Sequence, residues 1–120
     1  MDKIYLNKMA FYGFHGVFPE EKKLGQRFLV DLILEVDLKN AGETDDIYQS
    51  IDYGLVYQVT KQVVEGPSKN LVEAVAEDLS AELFSHFGLL AACTVKVIKP
   101  DPPIPGHYQS VAIEIHREKS

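Results

Sequence analysis

Apolar and polar residues alternate most regularly between residues 27 and 38. Phe28, Val30, Leu32, Leu34, Val36 and Leu38 fall on one face, and Leu29, Asp31, Ile33, Glu35 and Asp37 on the other. Period two over this length predicts a strand with one buried and one mostly polar face. Residues 3–14 predict an earlier strand, in which Ile4, Leu6 and Ala10 alternate with Tyr5, Asn7 and Met9, though imperfectly. It ends at Gly13-Phe14-His15-Gly16, where two glycines around an aromatic and a histidine point to a bulge or a close backbone approach. The long connection that follows, Phe18 to Gln26, is read as a polar loop with Glu20 and Glu21 as solvated charges.

The period then changes. After an irregular polar stretch over 39–50, Leu55, Val56, Val59 and Val63 recur at helical spacing between Tyr53 and Glu65, with Ser50 or Asp52 as cap and Gly66-Pro67 as stop. A second helix is predicted over 71–87, on the stripe Val72, Val75, Ala76, Leu79, Leu83 and Phe87. Asn70 and Glu73 have capping-box spacing, and Gly88 suits the C′ position. Strands follow at 93–99 and 108–117. Between them lies Lys99-Pro100-Asp101-Pro102-Pro103-Ile104-Pro105-Gly106, with four of the chain's six prolines. Proline fixes φ and removes a donor, so this is a stiff connection, with Lys99 where the strand ends.

The order β-β-α-α-β-β predicts an α+β fold: a four-stranded antiparallel sheet with both helices on one face. The 120 residues suffice for one domain, spanning 1–120. Long, weakly protected edge strands and a mixed second sheet face predict a homo-oligomer whose sheets continue across subunits. A net charge of −6 with no basic run argues against nucleic acid as a partner. No stretch approaches transmembrane length and the N-terminal residues lack a signal-peptide core, so the expected setting is cytoplasmic, away from membranes. Cys93 is the single cysteine; among apolar residues it reads as a small core side chain.

Candidate chemistry is sparse. His15, His86, His107 and His116 include no pair at metal-clamp spacing, and no metal site is predicted. There is no phosphate-binding glycine motif and no nucleophile elbow. What remains are polar groups near element ends: Glu21, Tyr53, Glu73 and Lys99. Each has an ordinary structural explanation; Glu73, for example, suits a helix N-terminus. Gathered on one sheet rim or at a subunit junction, two carboxylates, a phenol and an amine could bind a polar heterocycle and move protons. The residues alone carry the reading to a pocket and no further.

The same residues resemble the dihydroneopterin aldolase family, in Phe11-Tyr12-Gly13-Phe14-His15-Gly16-Val17 with Glu21 and Gly25-Gln26, Asp52-Tyr53-Gly54, Asn70-Leu71-Val72-Glu73, and Lys99-Pro100 through Pro103-Ile104-Pro105-Gly106-His107. The resemblance implies the tunnelling fold, in which four subunits close their sheets into a barrel and two rings stack as an octamer, with active sites between subunits. It implies retro-aldol cleavage of 7,8-dihydroneopterin, in folate biosynthesis, to 6-hydroxymethyl-7,8-dihydropterin and glycolaldehyde, with C2′ epimerisation as a companion activity. It implies no cofactor and no metal. Glu73 and the main chain of Val72 would hold the pterin, Lys99 would move protons, and Glu21 would position the substrate or Lys99. Tyr53, from a neighbouring subunit, would stack on the pterin or relay a proton. Of the adjacent Glu20 and Glu21, the alignment favours Glu21. A non-catalytic pterin- or purine-binding oligomer on the same fold is the alternative.

Overall fold

A computed structural model describes residues 1–120. Four strands, β1 (Asp2–Gly13), β2 (Gln26–Val36), β3 (Ala92–Lys99) and β4 (Val111–Glu118), form one antiparallel sheet in the order β1-β2-β3-β4. Two long helices, Tyr53–Val64 and Val72–His86, cover one face. The alternation in β2 is realised along its length: Phe28, Val30, Leu32, Leu34 and Val36 are buried, and the residues between them are not. Opposite them stand Val97, Val95 and Cys93 on β3, and Ile113 and Ile115 continue the face onto β4.

The imperfect alternation of β1 has its cause in a β-bulge. Leu6 pairs with Leu32 and Met9 with Val30, so β1 carries one extra residue there, with Lys8 at φ 54°. The bulge returns Met9, rather than Ala10, to the core side with Ile4 and Leu6. The Lys8 N–H is satisfied by Asp31 Oδ1 at 2.6 Å.

Two stretches read as irregular are ordered. Pro19–Leu24 is a short helix, α1, and Lys39–Thr44 is another, α2, followed by a 3₁₀ turn at Ile47–Gln49. The long helices are therefore α3 (Tyr53–Val64) and α4 (Val72–His86). Asp52 caps α3, accepting from the Gly54 N–H at 2.9 Å. Val56, Val59, Val63 and Val64 face the core, whereas Leu55 points outward. The capping box expected at Asn70 does not form. The N-cap position falls on Leu71, which has no side-chain acceptor, while Asn70 Oδ1 takes a hydrogen bond from Lys22 Nζ at 2.6 Å. The last strand begins at Val111 rather than 108, because 102–108 is folded on itself: Ile104 N–H reaches the Pro102 carbonyl, and the Tyr108 hydroxyl turns back to the carbonyls of Pro102 and Ile104.

β1 and β4 are both open edges, and no helix covers the second face of the sheet. The radius of gyration is 15.5 Å, against about 13.6 Å expected for a compact domain of this length. No helix is long and apolar enough to cross a membrane.

Candidate active site

Lys99 is the last residue of β3, on the core-facing side where the sheet runs out. Its ammonium donates to Glu21 Oε2 at 2.6 Å, and the two side chains are 15% and 7% exposed. Glu21 was expected to be a solvated loop charge. It is buried because α1 turns it inward: Pro19 occupies the first turn, where the missing N–H costs nothing, and Gly25 (φ 73°) ends the helix in a conformation that favours glycine. Its other oxygen accepts from the Phe18 N–H at 3.3 Å, and Gln26 Nε2 donates to Oε2 at 2.8 Å. Burial works against ionisation of Glu21, but the donors Lys99, Gln26 and Phe18 outweigh it and hold the carboxyl below the usual glutamate range.

The pair opens onto a hollow of about 230 Å³. Leu71, Val72 and Glu73 form one wall, and Pro102, Pro103 and Ile104 another, with Val17 and Phe18 alongside. The first N–H groups of α4 have no intrahelical acceptor, and no side chain caps them. Val72 and Glu73 thus bring a backbone donor and a carboxylate acceptor to the same edge. Beside Glu21, outside the lining of the hollow, Gln26 Oε1 is buried with no donor in the chain.

Size alone does not select this hollow. A groove of about 270 Å³ is lined by Lys69 and Asp78, and another of about 440 Å³ lies near Tyr48 and His86. Chemistry does select it: Lys69 and Asp78 stand 3.9 Å apart with side chains 33% and 43% exposed, where a long, solvent-accessible ion pair is weak and ordinary. Lys99 and Glu21 are in direct contact and withdrawn from solvent, a costly arrangement that marks a candidate functional site.

Glu21, Val72, Glu73 and Lys99 therefore meet within one chain, and Tyr53 does not join them. Tyr53 is exposed at the first turn of α3. The far end of that helix, about 16 Å away along its axis, carries Val64, whose carbonyl lies against His15. Asn70, Gln26 and the Pro102–Ile104 wall were not singled out as site residues by sequence. The buried-side position of Gln26 at the start of β2 was the available signal. Cys93 is fully buried, as expected of a core residue, and burial pushes its thiol up to about 11.

Fold and site together define an α+β protein with a buried lysine–carboxylate pair at the end of its sheet, facing an apolar pocket that carries a second carboxylate and free backbone N–H groups. The family model for dihydroneopterin aldolase (FolB) matches residues 4–116. Among curated proteins, the dihydroneopterin aldolase of Bacillus subtilis (strain 168) is 59% identical over 120 residues, covering 100% of both chains. That of Staphylococcus epidermidis is 47% identical over 117 residues, covering 98% of this chain and 97% of the relative. Among solved structures, E. coli dihydroneopterin aldolase in complex with neopterin superposes with a TM-score of 0.89 at 25% identity, covering 98% of this chain and 99% of that one. The chain belongs to the dihydroneopterin aldolase family.

Proposed function

We propose that this chain cleaves 7,8-dihydroneopterin by a retro-aldol reaction, giving 6-hydroxymethyl-7,8-dihydropterin and glycolaldehyde for folate biosynthesis. The observation that carries the reading is the Lys99–Glu21 contact of 2.6 Å at the floor of a pocket edged by Val72 and Glu73, in a chain of this family. The relative from E. coli whose structure contains neopterin supports a pterin ligand.

Breaking a C–C bond requires a place for its electron pair. Lysine Schiff bases and metals commonly supply one. A dihydropterin carries its own, the ring C6=N5 bond beside the side chain. A base takes the C2′ hydroxyl proton, the C1′–C2′ bond breaks, and the electron pair moves through C6 onto N5 as C2′ and C3′ leave as glycolaldehyde. Protonation of C1′ then draws the pair back from N5 through C6 into the new C1′–H bond and restores C6=N5. The protein's task is binding and proton transfer, without a cofactor or a metal.

Glu73 suits the paired N–H donors of the pterin 2-amino group and ring nitrogen, and the Val72 main chain adds to that edge. Lys99 is the proton carrier. In the free pocket it donates to Glu21, so it acts as base towards the C2′ hydroxyl, directly or through water, only once that contact has given up a proton or opened. It then returns a proton to C1′. Glu21, held ionised, orients Lys99 and the side-chain hydroxyls. Re-addition of glycolaldehyde before release would give the C2′ epimer.

Open edges at β1 and β4, the uncovered sheet face and the isolation of Tyr53 support an oligomer in which sheets join into a barrel and rings stack as an octamer. In it Tyr53 reaches the pocket of a neighbour, as stacking partner or proton relay. The expected setting is the cytoplasm.

The deciding experiment incubates purified protein with 7,8-dihydroneopterin, anaerobically and with chelator, beside Lys99→Ala. Hydroxymethyldihydropterin and glycolaldehyde should form with the wild type only, while Lys99→Ala still binds neopterin. Neopterin binding with no product from the wild type would instead make the chain a pterin-binding module, and full turnover by Lys99→Ala would remove Lys99 from the mechanism.

A further inference from the structure

Gly13-Phe14-His15-Gly16 joins β1 to the segment leading into α1, and the reaction proposed above uses none of its side chains. Yet His15 is 0% exposed, and both of its ring nitrogens are engaged. Nε2 lies 2.6 Å from the Val64 carbonyl oxygen, and the Lys69 N–H donates to Nδ1 at 3.0 Å. An N–H donor at Nδ1 requires that nitrogen to be unprotonated, so Nε2 carries the hydrogen and donates to Val64. Burial lowers the pKa of the ring; the Val64 contact opposes this, and nearby Lys69, Lys22 and Lys99 reinforce it, so the neutral form is kept.

The surrounding backbone is fitted to this ring. A Cβ on Gly13 would stand 2.7 Å from the Val64 carbonyl oxygen, and a Cβ on Gly16 would run into the Glu21 carboxylate. The Gly16 N–H donates to the Lys69 carbonyl at 2.9 Å, and the Ser68 hydroxyl donates to the Phe14 carbonyl. On its other side the His15 carbonyl accepts from Gln26 at 3.3 Å, and the same amide donates to Glu21. His15 thus ties the strand that leads to Glu21 to residues 64–69, which run directly into Leu71, Val72 and Glu73. A residue that only filled the core would need the ring, which packs edge-on against Phe28, and not the two nitrogens.

We propose that His15 is a positioning residue: with its ring oriented by donation to Val64, it accepts from the Lys69 N–H, and that tie sets the spacing between the Glu21–Lys99 pair and the binding edge at Val72 and Glu73. The inference rests on the pterin-cleaving reading of the site, in which those two halves grip opposite ends of one substrate.

Three substitutions separate positioning from packing. His15→Phe keeps the ring and loses both hydrogen bonds. His15→Asn places an acceptor near Nδ1 and keeps the Lys69 tie, whereas His15→Gln reaches Nε2 and keeps the Val64 tie. For His15→Phe, kcat/KM for 7,8-dihydroneopterin should fall about tenfold or more, carried mainly by KM, since a displacement of about an ångström is enough for such a loss. His15→Asn should recover most of the KM and His15→Gln should not, with the Kd for neopterin following the same order. Equal KM and Kd in the Asn and Gln variants, whatever their thermal midpoints, would overturn the proposal and leave His15 a packing residue. If His15→Phe does not fold, the Asn–Gln comparison decides alone. A wild type that binds neopterin without turnover sinks the aldolase reading while the Kd order still tests His15; one that does neither sinks both.

Discussion

Replacing Lys99 by alanine should cost stability as well as turnover, and the amount follows from what Glu21 keeps. Removing one partner of a buried ion pair costs about 3–5 kcal/mol, because the other charge is left in a poor solvent. Glu21 retains two of its three donors, Gln26 at 2.8 Å and the Phe18 N–H at 3.3 Å, each worth about 1 kcal/mol. The expected loss at pH 7 is therefore about 1–3 kcal/mol, or about 5–10 °C in Tm for a domain of this size. Its pH dependence carries the sharper test. Glu21 in the folded chain titrates below its ordinary value of 4.5, so its contribution is complete above that value and is lost as the pH falls through the folded one. Lys99→Ala removes the strongest of the groups that depress it. The gap between wild type and variant should be full at pH 7 and shrink as the solution is acidified below about 4.5, where Glu21 takes up a proton.

Urea unfolding followed by circular dichroism, at one fixed protein concentration so that assembly does not distort the comparison, gives both numbers. A loss below about 0.5 kcal/mol at pH 7 would mean that the pair behaves as an exposed surface contact. A loss as large at pH 4 as at pH 7 would mean that the ionised carboxylate is not the group being stabilised. Either result would refute the account of Glu21 as a buried, ionised partner of Lys99.

Cys93 is buried with its thiol pushed up to about 11, so it should resist thiol reagents in native buffer at pH 8 and react once in denaturant. His15 titrates below 6.5 in the folded chain, from burial first and then from Lys69, Lys22 and Lys99 against the opposing Val64 contact. The unfolded chain therefore binds more protons just below pH 6.5, and stability should decline as the pH falls from there, with a flatter profile in His15→Phe. Mixing Lys99→Ala with Tyr53→Ala subunits after joint unfolding and refolding should restore activity in about a quarter of the sites if Tyr53 serves a neighbour's pocket. A mixture no more active than its components would place all functional groups in one chain.

What the sequence discloses follows from which contacts are local. The strand at 26–36 could be read residue by residue because period two and burial on one side repeat over its whole length. The two long helices were legible for the same reason at period 3.6. α1 was missed although its boundary signals were complete: Pro19 at the start, Glu20 and Glu21 in the first turn, Lys22 and Lys23 in the last, and Gly25 beyond. Six residues are too few for a periodic stripe, so polarity read as loop. The glycines around His15 announced a close approach, but not that the approaching group is the Val64 carbonyl, 49 residues away. Asn70 shows the reverse failure: its spacing to Glu73 fits a cap, and a lysine from α1 claims its side chain instead.

The Glu21–Lys99 pair makes poor sense as a stabilising device. Taking two charges out of water costs several kcal/mol each, and an apolar pair of similar volume is often as stable or more so. Its surroundings would accept such a pair, since Val17, Phe18, Leu71, Val72, Pro102 and Ile104 already make half of the wall. The chain nevertheless keeps the charges, gives Glu21 three donors, clears a place for its carboxylate by leaving Gly16 without a side chain, and fixes that region through His15 and Gln26. A stability cost concentrated on one ion pair, at the floor of a pocket and supported from several directions, is not explained by the needs of the fold, and it is what marks this point as the candidate site.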